Sequence, residues 1–133
     1  MDIDFAFICD HAEIAGKINA LGIGFDTIYA AQVPVTHPYF HLVIQLRASI
    51  TEAGQREMAV RVIDADGNDV ISPISGPFEV PRPGAGTEAI ARLGVLFQNV
   101  TFTNYGSFSV RVIVQGTEMV NIPLRVAPPP QTA

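Results

Sequence analysis

The residue types most able to perform chemistry lie in the first third of the sequence, which holds the only cysteine and all three histidines. Cys9 and His11 are two residues apart on a predicted strand, so their side chains share a face about 6.6 Å apart. His37 and His41 are four residues apart, a spacing that metal sites use. Thiolate and imidazole are the ligands that zinc prefers, and four of them complete a tetrahedral site. The sequence therefore offers a metal-site hypothesis, formed by Cys9, His11, His37 and His41.

The same four residues also have a purely structural interpretation. A buried free cysteine packs like a small apolar side chain. His41 alternates onto the more polar face of its strand, and His37 precedes Pro38 in a turn. The paired Cys-x-x-Cys motifs of many structural zinc sites do not occur. We therefore expect no cofactor and keep the metal site, or a small-ligand site on the same residues, as the alternative.

Nucleophilic catalysis is the least supported interpretation of Cys9 and His11. A catalytic pair needs a third group that orients the base, together with a site that stabilises the oxyanion. Alternation along a strand places Asp10, the nearest candidate for that third group, on the opposite face. The sequence thus provides no catalytic constellation, and we expect a protein that is not an enzyme.

The segment 64–69 gathers acidic side chains around Gly67 and resembles a calcium loop. An EF-hand loop ends in a glutamate at its twelfth position, where this chain has Ser75. Asp66-Gly67 also supplies the positive φ that tight hairpin turns require. We therefore interpret the segment as a turn between two strands.

The elements that must position these residues are strands. Ile and Val total 28 residues against six Leu, and χ1-restricted side chains suit pleated sheet. Alternation in residues 2–10 predicts a first strand with one mostly apolar face, and a second clear pattern predicts a strand over 40–50. The apolar face of the first strand would comprise Ile3, Phe5, Phe7 and Cys9, and that of the second Phe40, Leu42, Ile44, Leu46 and Ala48.

About eight such segments are separated by turn signals, and the connections are too short for parallel crossovers. Hence the predicted fold is all-β, an antiparallel β-sandwich of immunoglobulin-like character, with a jelly roll or small barrel as the alternative. Residues 1–127 would form a single domain, and residues 128–133 a flexible proline-rich tail. The prolines at 73 and 77 predict that the segment 70–80 is an edge strand.

Charge excludes some classes of partner. Acidic residues outnumber basic ones by 13 to 8, and the single Lys and seven Arg are scattered. A nucleic-acid or anionic-membrane surface calls for clustered basic residues, so we expect neither partner. The N-terminus has no secretory pattern and the lone cysteine permits no intrachain disulfide, so the expected setting is cytoplasmic.

Several segments together resemble a family of small bacterial proteins catalogued as a domain of unknown function. The resemblance covers most of the chain and is most specific in its N-terminal third. It implies a compact bacterial β-sandwich and brings no activity with it. The segments are 8–12, 16–22, 25–26, 36–38, 64–67, 104–108 and 122–126.

The expected function is a non-enzymatic binding or assembly module of bacterial origin, acting on a protein partner or on a second copy. Sandwiches recruit partners through their end loops or by strand addition at an edge. Aromatic and Arg side chains are enriched at interface hot spots. The interaction candidates are Tyr29, Tyr39, Phe40 and Arg82, each of which also has an ordinary interpretation as core or solvated loop.

Overall fold

A computed structural model describes residues 1–130, which form β-strands joined by turns and loops. This confirms the predicted all-β class, with a single 3-10 turn at Ile50–Glu52. Within these residues no helix has the length and apolar character of a membrane span. The strands are β1 (Asp2–Cys9), β2 (His11–Ile14), β3 (Ile18–Leu21), β4 (Thr27–Tyr29), β5 (Val35–Ser49), β6 (Gly54–Asp64), β7 (Ile74–Val80), β8 (Glu88–Phe102), β9 (Gly106–Val114) and β10 (Thr117–Ala127).

Two sheets enclose the main hydrophobic core. One has the strand order β1-β5-β8, and the other, which curls into a half-barrel, has the order β4-β10-β9-β6-β7. The alternation predicted for β5 is confirmed, since its even-numbered apolar residues are almost completely buried between the sheets. Core residues from both sheets include Phe40, Leu42, Ile44, Leu46, Phe97, Phe102, Val60, Val62, Val110, Val112 and Leu124.

The strand count and one pairing differ from the sequence prediction. The described residues form ten strands rather than about eight. Three of them, β2, β3 and β4, are short and are separated from the strands around them by bends or turns. β4 pairs in parallel with β10, through Arg125 opposite Thr27. Connection length restricts only strands that follow one another in sequence, whereas β4 and β10 are separated by most of the chain.

The single apolar face predicted for β1 is wrong. The register against β5 shifts between Ile3 and Phe5, which marks a bulge at Asp4. One extra residue reverses the side-chain alternation of a strand. Ile3 therefore packs against the main core, as does Ile8, while Phe5 is 40% exposed.

The hairpin β2–β3 folds back over the outer face of the three-stranded sheet. It forms a second, smaller core in which Cys9, Ala12 and Val43 are buried, with Phe7 and other apolar residues packed around them. Gly94 of β8 makes room for this hairpin, because a Cβ added there would lie 2.9 Å from Ile14 Cδ1. A glycine inside a strand thus marks the close approach of another element.

Two further predictions concern the edge and the turns. β7 ends the five-stranded sheet, which confirms the predicted edge strand, although β7 begins only at Ile74. The predicted turn at 64–69 is confirmed: the Asp64 carboxylate accepts hydrogen bonds from the amides of Asp66 and Asn68, both at 2.9 Å. The predicted tail is exposed over 128–130, and residues 131–133 lie outside the described residues.

Candidate functional site

An apolar groove lies between β1 and the β2–β3 hairpin. Its volume is about 680 Å³. Three of its apolar side chains are unusually accessible: Phe5 is 40% exposed, Leu21 69% and Ile23 60%. Contiguous exposed apolar surface is typical of a binding site. The lining residues are Phe5, Phe7, His11, Glu13, Ile18, Asn19, Ala20, Leu21 and Ile23.

Local sequence explains why this surface stays uncovered. The bulge at Asp4 turns Phe5 and Phe7 outward, where their rings stack with centroids 5.9 Å apart. Ile23 lies between Gly22 and Gly24, which have φ values of +67° and +81°. Such left-handed positions interrupt a strand, so the chain leaves the sheet at this point and Ile23 projects into solvent.

The groove has a polar end formed by His11. Its Nδ1 atom lies 2.8 Å from the Tyr39 hydroxyl, and its Nε2 atom lies 3.6 Å from a carboxylate oxygen of Glu13. The His11 ring also contacts His41 edge to face, with centroids 5.3 Å apart. His11 therefore joins the hairpin to β5 and supplies hydrogen-bonding capacity at one side of an otherwise apolar surface.

The structure brings together only part of the predicted metal-ligand set. His11 and His41 are neighbours, whereas the His37 ring makes its aromatic contacts with Phe25 and Phe40. Cys9 is completely buried in the small core. In residues 1–130, no three Cys, His, Asp or Glu side chains converge as a metal ion requires.

Burial also sets the protonation of these groups. Desolvation raises the pKa of the Cys9 thiol, and the thiol points to the His11 carbonyl oxygen at 3.5 Å. Thiolate, the reactive form, is therefore disfavoured. Burial lowers the pKa of His37, and burial together with the nearby His11 lowers the pKa of His41, whose Nδ1 atom has no hydrogen-bond partner within the described residues.

The predicted interaction residues fall into different environments. Tyr29 is 59% exposed at the edge strand β4, and Arg82 is exposed in the loop between β7 and β8. Tyr39 is half-buried and holds His11. Phe40 has no exposed surface and stacks on Phe97 in the main core. Of its two interpretations from the sequence, the structure therefore supports the core residue.

Sequence reasoning missed the residues that line the groove. Alternation places Phe5 on the apolar face predicted for the first strand, and no motif singles out Leu21. Their exposure depends on the bulge and on the docking of the hairpin, neither of which alternation encodes. One local signal was present: the Gly22-Ile23-Gly24 sequence places an apolar residue between two glycines, where a regular strand cannot cover it.

The described residues define an all-β protein with ten strands in three sheets and an apolar groove beside the β2–β3 hairpin. The chain belongs to a family of unknown function, DUF6941, whose family model matches residues 4–127. This confirms the resemblance to a domain of unknown function that the sequence suggested. None of the curated proteins matches the chain.

One similar solved structure is the Pseudomonas fluorescens alkylpurine DNA glycosylase AlkC, bound to DNA that contains an abasic site analog. The sequences are 12% identical, and the superposition gives a TM-score of 0.46. The match covers 92% of this chain and 30% of the glycosylase, so this chain spans less than a third of that protein.

Proposed function

We propose that the protein is a non-enzymatic binding or assembly module whose groove accepts an apolar segment of a protein partner. The observation that carries the proposal is the exposure of Phe5, Leu21 and Ile23 around a groove of about 680 Å³. Fully burying an exposed Leu, Ile or Phe side chain contributes about 1.5–3 kcal/mol, so these three, which are 40–69% exposed, would each contribute about half of that before the costs of association are subtracted. Polar contacts at His11 and Asn19 on the rim would orient the bound segment.

The experiment places a photoreactive benzoylphenylalanine at Leu21 and irradiates the protein in an extract of its source cells. We expect one discrete adduct, and we expect Phe5→Ser in the same protein to abolish it while leaving the cross-linker in place. The matched control carries the cross-linker at Ile74, an apolar residue that is 39% exposed on β7. Equal labelling from Ile74, or an adduct that Phe5→Ser does not affect, would contradict the proposal.

The finer fold assignment and the setting belong to the same proposal. Two sheets around one core, with loops at their ends, support an immunoglobulin-like sandwich. The curl of the five-stranded sheet supports the barrel alternative instead. The sole cysteine is a free, buried thiol, which suits the cytoplasm that the sequence predicts.

Metal binding is the second candidate function, and the contact between His11 and His41 is the observation that favours it. Zinc binding would require Cys9 or His37 to leave its packed position. Native mass spectrometry on protein purified without chelator tests this directly. A stoichiometric zinc adduct that His41→Phe removes would support the site, and a metal-free species would count against it.

A further inference from the structure

The outer edge of β8 is a feature of the fold that the groove does not include. Within residues 1–130, β8 pairs with β5 along its whole length and is the last strand of its sheet. An unpaired strand edge presents a row of amide and carbonyl groups that another strand can bind. With 15 residues, β8 offers a far longer edge than β7, which has 7.

The register identifies which backbone groups point outward. The Ile50 amide donates to the Thr87 carbonyl at 2.8 Å, so the backbone polar groups of Thr87 point toward β5. Hydrogen bonds to a given neighbour alternate along an antiparallel strand. The residues of β8 that point to the open edge are therefore Ile90, Arg92, Gly94 and Leu96.

A separate hydrogen bond supports the same assignment of inward and outward backbone groups along β8. The Ile8 carbonyl accepts from the Gly24 amide at 2.9 Å, so Ile8 points away from β5. Its partner Leu42 consequently directs its backbone to β8, where it lies opposite Val95. Val95 thus bonds within the sheet, and its neighbour Leu96 faces outward.

The edge strands β7 and β8 differ in how well they are protected against pairing with another strand. β7 contains Pro77, which has no amide to donate, and the charged Glu79. Both are devices by which natural sheets block an edge. In contrast, β8 contains no proline, and residues 93–102 carry no charge. Leu96, in the middle of that run, is 43% exposed.

We propose that β8 pairs antiparallel with β8 of a second copy of this chain and joins the two three-stranded sheets into one six-stranded sheet. The distribution of charge along β8 fits the pairing of two copies in the antiparallel direction. Glu88 and Arg92, the charged residues of β8, both lie near its start. Antiparallel pairing sets them against the uncharged half of the second strand, whereas parallel pairing would set like charges side by side.

Sedimentation equilibrium of the wild type and of two variants at one position tests the proposal. Leu96→Pro removes an outward amide and leaves the bonds to β5 intact, so we expect a folded monomer and association weakened at least 100-fold. Leu96→Ala keeps the amide and should remain dimeric. Leu21→Ser should also remain dimeric, which separates this edge from the groove and from the proposed function.

Hydrogen exchange provides a second readout in case Leu96→Pro does not fold. The amides of Arg92, Gly94 and Leu96 should exchange slowly in concentrated wild-type protein and at least 100-fold faster after dilution to monomer. A wild type that stays monomeric at millimolar concentration would overturn the proposal. So would a folded Leu96→Pro variant that still dimerises, or fast exchange of these amides in the dimer.

Discussion

The carboxylate of Asp10 occupies the space that a Cβ atom on Gly22 would need. The two residues meet where the hairpin returns to the sheet, and the Asp10 amide donates to the Leu21 carbonyl at 3.0 Å. Gly22 also has a φ of +67°, a backbone conformation that residues other than glycine rarely adopt. Backbone conformation and close contact therefore both require glycine at this position.

Replacing Gly22 by alanine should destabilise the protein more than the same change at Gly16. Gly16 also has a positive φ, of +76°, but nothing lies within 4 Å of its added Cβ. Both variants incur backbone strain of about 1–3 kcal/mol, and only Gly22→Ala must in addition displace the Asp10 side chain. Urea denaturation measures the two free energies of unfolding. Equal losses would show that the contact with Asp10 contributes nothing.

Cys9 should resist alkylation in the native protein. Its side chain is completely buried beneath the hairpin, and burial raises the pKa of its thiol. Iodoacetamide at neutral pH should therefore modify the urea-unfolded chain quickly and the native chain at least 100-fold more slowly. Mass spectrometry follows the adduct. Rapid native labelling would mean that the hairpin opens readily, and it would reopen the assignment of Cys9 as a chemically inert residue.

Phe40 and Tyr29, both considered for interaction from the sequence, should differ sharply in their effect on stability. Phe40 is fully buried, with its ring centroid 4.6 Å from that of Phe97, whereas Tyr29 is 59% exposed. Phe40→Ala should cost about 3–5 kcal/mol of unfolding free energy. Tyr29→Ala should change it by about 0.5 kcal/mol or less. Comparable losses for the two variants would place Tyr29 in a packed environment that this fold does not give it.

Stability should fall as pH drops through the ordinary histidine pKa of 6.5. Burial lowers the pKa of His37 and of His41 in the folded protein, so the unfolded chain binds protons first. Their contribution is complete above pH 6.5 and is lost as pH falls toward the lowered folded values. Asp4, whose pKa Arg47 lowers from 3.8, affects stability only at more acidic pH.

Urea midpoints at about pH 7.5 and pH 5.5 measure this dependence, because most carboxylates stay ionised across that interval. The double variant His37→Phe, His41→Phe should show a smaller change between the two pH values than the wild type. An unchanged pH dependence in the double variant would contradict the assignment.

Alternation of apolar and polar residues predicts the fold correctly where a strand has one face in the core and one face outside it. The faces of β5 and β9 follow from their sequences, because each strand has one face in the core between the sheets. The bulge at Asp4 was not predictable in this way, since one added residue reverses the pattern that follows it. The parallel pairing of β4 with β10 joins distant segments and leaves no mark on either sequence.

The candidate site was less accessible to sequence reasoning than the fold. Spacing drew attention to Cys9 and His11 as residues of one face, yet Cys9 ends β1 and His11 begins β2 beyond the bend at Asp10. Phe5 and Leu21 carry the same apolar signal as core residues. Only the three-dimensional placement of the hairpin distinguishes a groove wall from a core.

Because the bulge divides β1 between two cores, the molecule contains two packed units that share a strand. Ile3 and Ile8 belong to the unit between the main sheets, and Phe7 and Cys9 belong to the small unit beneath the hairpin. Loss of the small unit leaves every pair of the five-stranded sheet intact. We therefore expect the hairpin to unfold locally while the five-stranded sheet persists, at a free energy below that of global unfolding, and the shape of the groove to change with it.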